Sequence, residues 1–117
     1  ENIEACAVEL LKKQDPPTAI VSYNDNWANH IIKAASRIGL EVPKDLSVVG
    51  FDDSILATSG KVNLTSVKPE KKELGVAAVE MLIDKIESAR NRPKRILLVT
   101  PRLVIRKSTA KAPIIKE

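Results

Sequence analysis

The sequence predicts an α/β fold with a mostly parallel sheet flanked by helices. The main observation is one strand–helix–strand unit of two apolar runs that end alike. Ala19-Ile20-Val21-Ser22-Tyr23 stops at Asn24-Asp25, and Ser47-Val48-Val49-Gly50-Phe51 stops at Asp52-Asp53. Continuous apolar runs are expected of parallel strands covered on both faces. If the two strands are parallel neighbours, both polar endings emerge at one carboxyl edge, where open α/β sheets hold small ligands.

The elements follow in order. Residues from about Ile3 to Lys13 have helical periodicity, with Ile3, Ala7, Leu10 and Leu11 on one face. Asp15-Pro16-Pro17 stops that helix, because proline cannot continue it and pulls its predecessor toward extended geometry. Cys6, on this helix, is expected as a small buried hydrophobe. After the first strand, about Thr18 to Ser22, Asn24 or Asp25 can cap a helix that carries Trp27, Ala28, Ile31, Ala34, Ala35 and Ile38 at helical spacing. Gly39 fits the left-handed position after that helix, and Leu40 its customary hydrophobic contact. Leu46 to Phe51 is the second strand, and Gly50 there allows close helix–strand packing.

From Asp53 to Asn63 the pattern is lost, which indicates a loop or short turn. Leu64-Thr65-Ser66-Val67 is a short extended piece, and Pro69 opens a long helix to about Ser88, ended by Asn91-Arg92-Pro93. Ile96-Leu97-Leu98-Val99 and Leu103-Val104-Ile105 are two β-rich runs split by Thr100-Pro101, and the tail after Ser108 is expected to fray. Two parallel strands and a few short late ones are few for a self-contained doubly wound domain. The chain reads as incomplete.

Composition narrows the function classes. The 117 residues fit one small domain or part of a larger one, and 44% hydrophobic with 29% charged residues is ordinary for a soluble globular protein. No apolar run approaches the length of a bilayer span, and the acidic start lacks the marks of a signal peptide. One cysteine excludes an internal disulfide and a multi-cysteine metal site. The net charge of +4 is concentrated late, at Lys85, Arg90, Arg92, Lys94, Arg95, Arg102, Arg106, Lys107 and Lys111. No helix-turn-helix, zinc-finger or stacking pattern accompanies it, so a solvated or partner-facing basic end is preferred to direct DNA contact. Four glycines cannot build a phosphate loop, and no nucleophile–base set or metal-spaced ligand set is present, so neither an enzyme nor a cofactor is expected.

The candidate chemistry lies at the two endings. A carboxylate at the end of a buried strand is partly desolvated and needs donors, which vicinal sugar hydroxyls supply. Asn24 can serve a hydroxyl as donor or acceptor. Trp27, one helical turn on, is the better pocket wall, since Phe51 should point away from Asp52. Against this stand plain capping and turn roles for Asn24-Asp25 and Asp52-Asp53, a core or subunit-contact role for Trp27, and a surface role for His30, the one histidine.

Pro17-Thr18-Ala19-Ile20, Asn24-Asp25, and the stretch Gly39-Leu40-Glu41-Val42-Pro43 through Asp45-Leu46-Ser47-Val48-Val49-Gly50-Phe51-Asp52-Asp53 resemble the LacI/GalR family of sugar-responsive transcription regulators. Leu64 to Val67, Leu74-Gly75, and Pro101 to Thr109 continue the resemblance over nearly the whole chain. Tyr23-Asn24-Asp25, Asp52-Asp53-Ser54 and Lys61 to Lys68 look closest to the arabinose-responsive repressors, which join such a domain to a winged-helix DNA-binding domain of the GntR type.

The resemblance implies a two-lobed, periplasmic-binding-protein-like fold with a small sugar effector in the cleft, L-arabinose being the first choice. It implies a cytoplasmic homodimer that meets operator DNA through a domain not in this chain, and no membrane partner. The family's effector-contacting residues map onto Asn24 and Asp52, which leaves Asp25 as the expected cap, with Asp53 and Trp27 as further ligand-binding candidates. Trp27, Ile31, Ile55 and Leu56 map to the dimer interface. About 1–66 would belong to the second lobe, 69–99 would return toward an absent first lobe, and 101–109 would form the final strand. A chain so divided would leave the long helix's apolar face uncovered and would self-associate. The alternatives are an exported sugar-binding protein, which should carry a signal peptide upstream, and a sugar-modifying enzyme, for which no acid–base pair is found.

Overall fold

The structure is a computed structural model that describes residues 2–87 and 94–112. Its elements are α1 (Ile3–Leu11), β1 (Ala19–Val21), α2 (Asp25–Arg37), β2 (Ser47–Phe51), α3 (Leu56–Ser59), β3 (Thr65–Lys68), α4 (Lys71–Glu87) and β4 (Arg102–Val104). The four strands form one sheet in the order β1-β2-β3-β4. β1 and β2 pair in parallel with Ile20 opposite Val48, and β2 and β3 pair in parallel with Gly50 opposite Ser66. The α/β class with a mostly parallel sheet is therefore as expected, and the endings of β1 and β2 do share one carboxyl edge.

The chain divides into two units, residues 1–68 with 103–117, and residues 69–102. The core lies in the first. Ala28, Ile31, Ile32, Ala34 and Ala35 of α2 pack on Leu46 and Val48 of the β2 segment, with Ala7 and Leu11 of α1, Ala57 and Leu64 completing one cluster. Burying its six larger aliphatic side chains, Leu11, Ile31, Ile32, Leu46, Val48 and Leu64, contributes on the order of 10 kcal/mol before the entropy of ordering is subtracted.

Helix ends follow their sequence signals. Gly39 has φ +82° and its N–H reaches the carbonyl of Ser36, while Leu40 N–H reaches that of Ala35. That pair of bonds is the Schellman arrangement, in which only glycine takes the positive φ without strain. Asn2 caps α1 by accepting from the Ala5 N–H at 3.3 Å.

Glu4 clips α1 to α2. Its carboxylate meets His30 at 3.0 Å, Lys33 at 3.1 Å and Arg37. The contact with His30, then that with Lys33, holds the Glu4 carboxyl below its ordinary range. A carboxyl depressed in the folded state adds stability that is present above the unfolded-state pKa and lost as pH falls through the folded one. Replacing Glu4 by Gln is therefore expected to flatten the acid side of the stability profile below the ordinary glutamate range. Chemical denaturation across pH measures this, and an unchanged acid limb would contradict it.

Several sequence expectations are corrected. Cys6 is exposed, not buried, because the helix turns Ala7 and Leu11 inward and leaves Cys6 beside them. β1 is covered on one face only: Ile20 packs on the core while Val21 is 76% exposed, since α1 and α2 contribute to the same cluster. Ile96 to Val99 forms no strand, and Ile96, Leu97 and Leu98 stay exposed. An extended run becomes a strand only by pairing, and this one has no pairing among the described residues. The final strand spans Arg102–Val104 rather than 101–109, yet the segment after it is held firmly. Ser108 is fully buried, with its hydroxyl donating to the Val48 carbonyl at 2.5 Å and accepting from the Thr65 N–H at 2.8 Å. Ala110 N–H still reaches Ser47, so fraying does not begin directly after Ser108. The expected helix stop at Asn91-Arg92-Pro93 lies outside the described residues.

In the second unit, α4 buries none of its residues, and Leu74, Val79, Leu82, Ile83 and Ile86 are all exposed. The late basic side chains are partly neutralised within the chain: Arg95 pairs with Asp84, Arg102 with Glu70 and Arg106 with Asp53. That pairing weakens a phosphate-tracking stripe.

Candidate effector site

The turn after β2 is the unusual feature of the backbone. Asp52 has φ +100° and Asp53 φ +45°, the only non-glycine residues with positive φ among those described. Such conformations cost on the order of 1–3 kcal/mol each and persist only where the surroundings over-determine them. Here the surroundings do so through hydrogen bonds. Asp52 N–H donates to the Val67 carbonyl at 2.9 Å. Asp53 N–H donates to the Ser66 hydroxyl at 3.1 Å. Ser54 donates through both N–H and hydroxyl to Asp25 Oδ2, at 2.7 and 2.9 Å.

Asp25 is the hub of this turn. It is 1% exposed, and its other oxygen accepts the Ser66 hydroxyl at 2.5 Å. Ser66 thus accepts from Asp53 and donates to Asp25, joining β3 to the turn. Placed in the first turn of α2, the carboxylate also lies at the positive end of the helix dipole. Gly50 makes the arrangement possible: a Cβ there would lie 2.3 Å from Asp25 Oδ1 and 2.6 Å from a Leu64 methyl. The close helix–strand approach expected of Gly50 is confirmed.

The cap expected at Asp25 is at Asn24 instead. Asn24 is the N-cap, its Oδ1 accepting from the Trp27 N–H at 2.9 Å, whereas Asp25 ties the sheet edge together. A cap needs its side-chain oxygen outside the first turn, which favours the residue that still has extended geometry, here Asn24 at φ −157°. The cap uses Oδ1, so the Nδ2 amide is the part of Asn24 that can face a ligand.

Asp53 is engaged on both oxygens. Arg106 donates to Oδ1 at 2.6 Å, and Lys68 Nζ lies 3.7 Å from Oδ2. Arg106 also donates to the Leu64 carbonyl at 2.8 Å. Trp27 is 40% exposed and packs on Tyr23, with ring centroids 5.6 Å apart. Its other neighbours line an apolar hollow of about 290 Å³ shared with Ile3, Leu10, Ile20 and Ile31. Of the residues mapped to a subunit contact, Ile55 is 78% exposed and Leu56 37%, while Ile31 is buried in the core.

The structure thus brings Asn24, Asp52 and Asp53 to one sheet edge, with Trp27 one turn along α2. Sequence reasoning missed Ser54, Ser66 and Arg106 as the residues that shape the edge. Two adjacent hydroxyls, Thr65 and Ser66, inside the short extended piece after the loop were the available signal, because hydroxyls that become buried need partners.

Comparison with known proteins agrees with this architecture. The model of the periplasmic binding protein-like domain matches residues 2–109. The chain belongs to that family. An arabinose metabolism transcriptional repressor from Geobacillus stearothermophilus is 42% identical over 97 residues, which are 83% of this chain and 27% of that protein. The HTH-type transcriptional repressor PurR of Photobacterium profundum is 35% identical over 92% of this chain and 32% of its own length. The crystal structure of a LacI family transcriptional regulator from Bifidobacterium animalis subsp. lactis superposes with a TM-score of 0.86 at 27% identity, covering 95% of this chain and 40% of that one. The resemblance to LacI/GalR regulators, including an arabinose-responsive repressor, is thereby borne out. The chain spans about a third or less of these two curated relatives. Among the described residues no helix is long and apolar enough to cross a membrane.

Proposed function

We propose that this chain is the effector-sensing part of a bacterial transcriptional repressor. It holds a small sugar at the carboxyl edge of its sheet and couples that binding to operator DNA through a domain elsewhere in the protein. The observation that supports this most is the turn at Asp52. A strained backbone is held by a buried carboxylate and a serine relay, which fixes a partly exposed acid at the edge where such sheets bind ligands. Asp52 accepts from sugar hydroxyls, the Asn24 amide donates to one, and Trp27 supplies an apolar wall.

L-arabinose is the effector of choice, because a 42% identical relative is an arabinose metabolism repressor. Residues 69–99 return toward the first lobe, which completes the cleft, and the full protein works as a cytoplasmic homodimer with Ile55 and Leu56 at the contact. Effector and operator affinities are then linked reciprocally. The transport-protein reading has less support, since the named relatives are transcriptional repressors. Those relatives are not enzymes by name, and no catalytic step is proposed.

Calorimetry of the full-length protein against pentoses, hexoses and purines tests the reading. Saturable binding of L-arabinose, released from competition by no purine, is expected. Binding of a purine with no response to any sugar would overturn it.

A further inference from the structure

The carboxylate of Asp53 is 10% exposed and lies beside the proposed effector acid, yet it is bound to two cations of the chain itself. Those two cations occupy particular places. Lys68 is the last residue of β3, where the chain leaves the first unit, and Arg106 lies just beyond β4, where the chain has returned to it. Arg106 is only 20% exposed at its side chain, and its fork joins Asp53 to the Leu64 carbonyl, while its backbone N–H reaches the Thr65 hydroxyl. The outgoing and returning segments therefore meet on one carboxylate, and that carboxylate is covalently next to Asp52.

We propose that Asp53 is a positioning residue and not a ligand contact: it anchors both connecting segments to the effector turn. Binding at Asp52 moves the turn, and the Asp53 ion pairs carry that shift to Lys68 and to the Leu103–Arg106 segment. A mostly buried guanidinium that holds Asp53 with one nitrogen and the Leu64 carbonyl with the other suits this role, because two partners fix its orientation as well as its distance. The proposal rests on the effector reading above, but its structural half is independent of it.

Asp53→Asn is the suitable variant, since asparagine tolerates positive φ and only the charge is removed. In the full-length protein without ligand, amide hydrogen exchange at 67–69 and 103–106 should quicken by about tenfold or more, with α2 unchanged. Arg106→Gln should loosen the same amides, and the double variant should exchange no faster than either single one, as expected of one shared pair. With L-arabinose as the probe, Asp53→Asn should keep its affinity within about threefold of the parent, whereas Asp52→Ala loses it. Sugar-induced protection of 103–106 should also disappear in Asp53→Asn. Unchanged exchange in both single variants would overturn the anchor, and so would an affinity loss in Asp53→Asn as large as in Asp52→Ala. If the parent binds no sugar, the effector reading fails, while the ligand-free exchange still decides for or against the anchor.

Discussion

Replacing Gly50 with alanine is expected to destabilise the chain by about 3 kcal/mol, the upper part of the range for overfilling a packed interior. The new methyl would lie 2.3 Å from Asp25 Oδ1, 2.6 Å from Leu64 Cδ2 and 3.3 Å from the Asp25 Cα. A clash with the free end of a flexible side chain would be relieved at little cost. Neither obstacle here is free. Leu64 is fully buried, and Asp25 is held by three hydrogen bonds and has its own backbone against the site. Relief must come from moving α2 away from β2, which opens the core around Ala28 and Val48. Urea unfolding measures the loss. A variant within about 0.5 kcal/mol of the parent would show that helix and strand are not packed as described.

The second large effect is expected at Asp25. An ordinary helix cap changed to alanine costs typically about 1 kcal/mol. Asp25→Ala should cost roughly 3 kcal/mol, because it removes one acceptor group from three donors and leaves the fully buried Ser66 hydroxyl without an acceptor for its proton. The figure discriminates between the two roles the sequence allows. Asn24→Ala, which removes only the bond from the Trp27 N–H, serves as the comparison for a cap. Equal losses at the two positions would mean that Asp25 is no hub. Because Gly50 and Asp25 touch, their effects should be less than additive in the double variant.

Much of the fold was legible in the residues. The runs at Ala19–Val21 and Ser47–Phe51, the helix between them, and the Gly39 terminator each combine an apolar pattern with local turn chemistry, and those signals agree. The run at Ile96 to Val99 misled, since β propensity describes a surface that fits a sheet and does not supply the partner strand. At the candidate site, residue types located the edge correctly but not the division of labour along it. Asn24 and Asp25 are both good caps by type, and only the three-dimensional approach of Ser54 and Ser66 decides that Asp25 turns inward. Arg106 was legible only as one member of a basic cluster, because its partner Asp53 lies 53 positions earlier in the chain.

The proposed function requires that the pinned turn present Asp52 to a sugar. Titration calorimetry of Asp52→Ala in the full-length protein, beside the parent and with L-arabinose, tests it most directly. Loss of a charged hydrogen-bond acceptor should weaken binding roughly 10- to 100-fold. The unfolding midpoint should fall somewhat, since alanine tolerates the positive φ at this position less well than aspartate, so binding is compared at a temperature where both proteins are folded. Affinity within twofold of the parent (about 0.4 kcal/mol) would contradict the claim and place the sugar, or another effector, elsewhere on the protein.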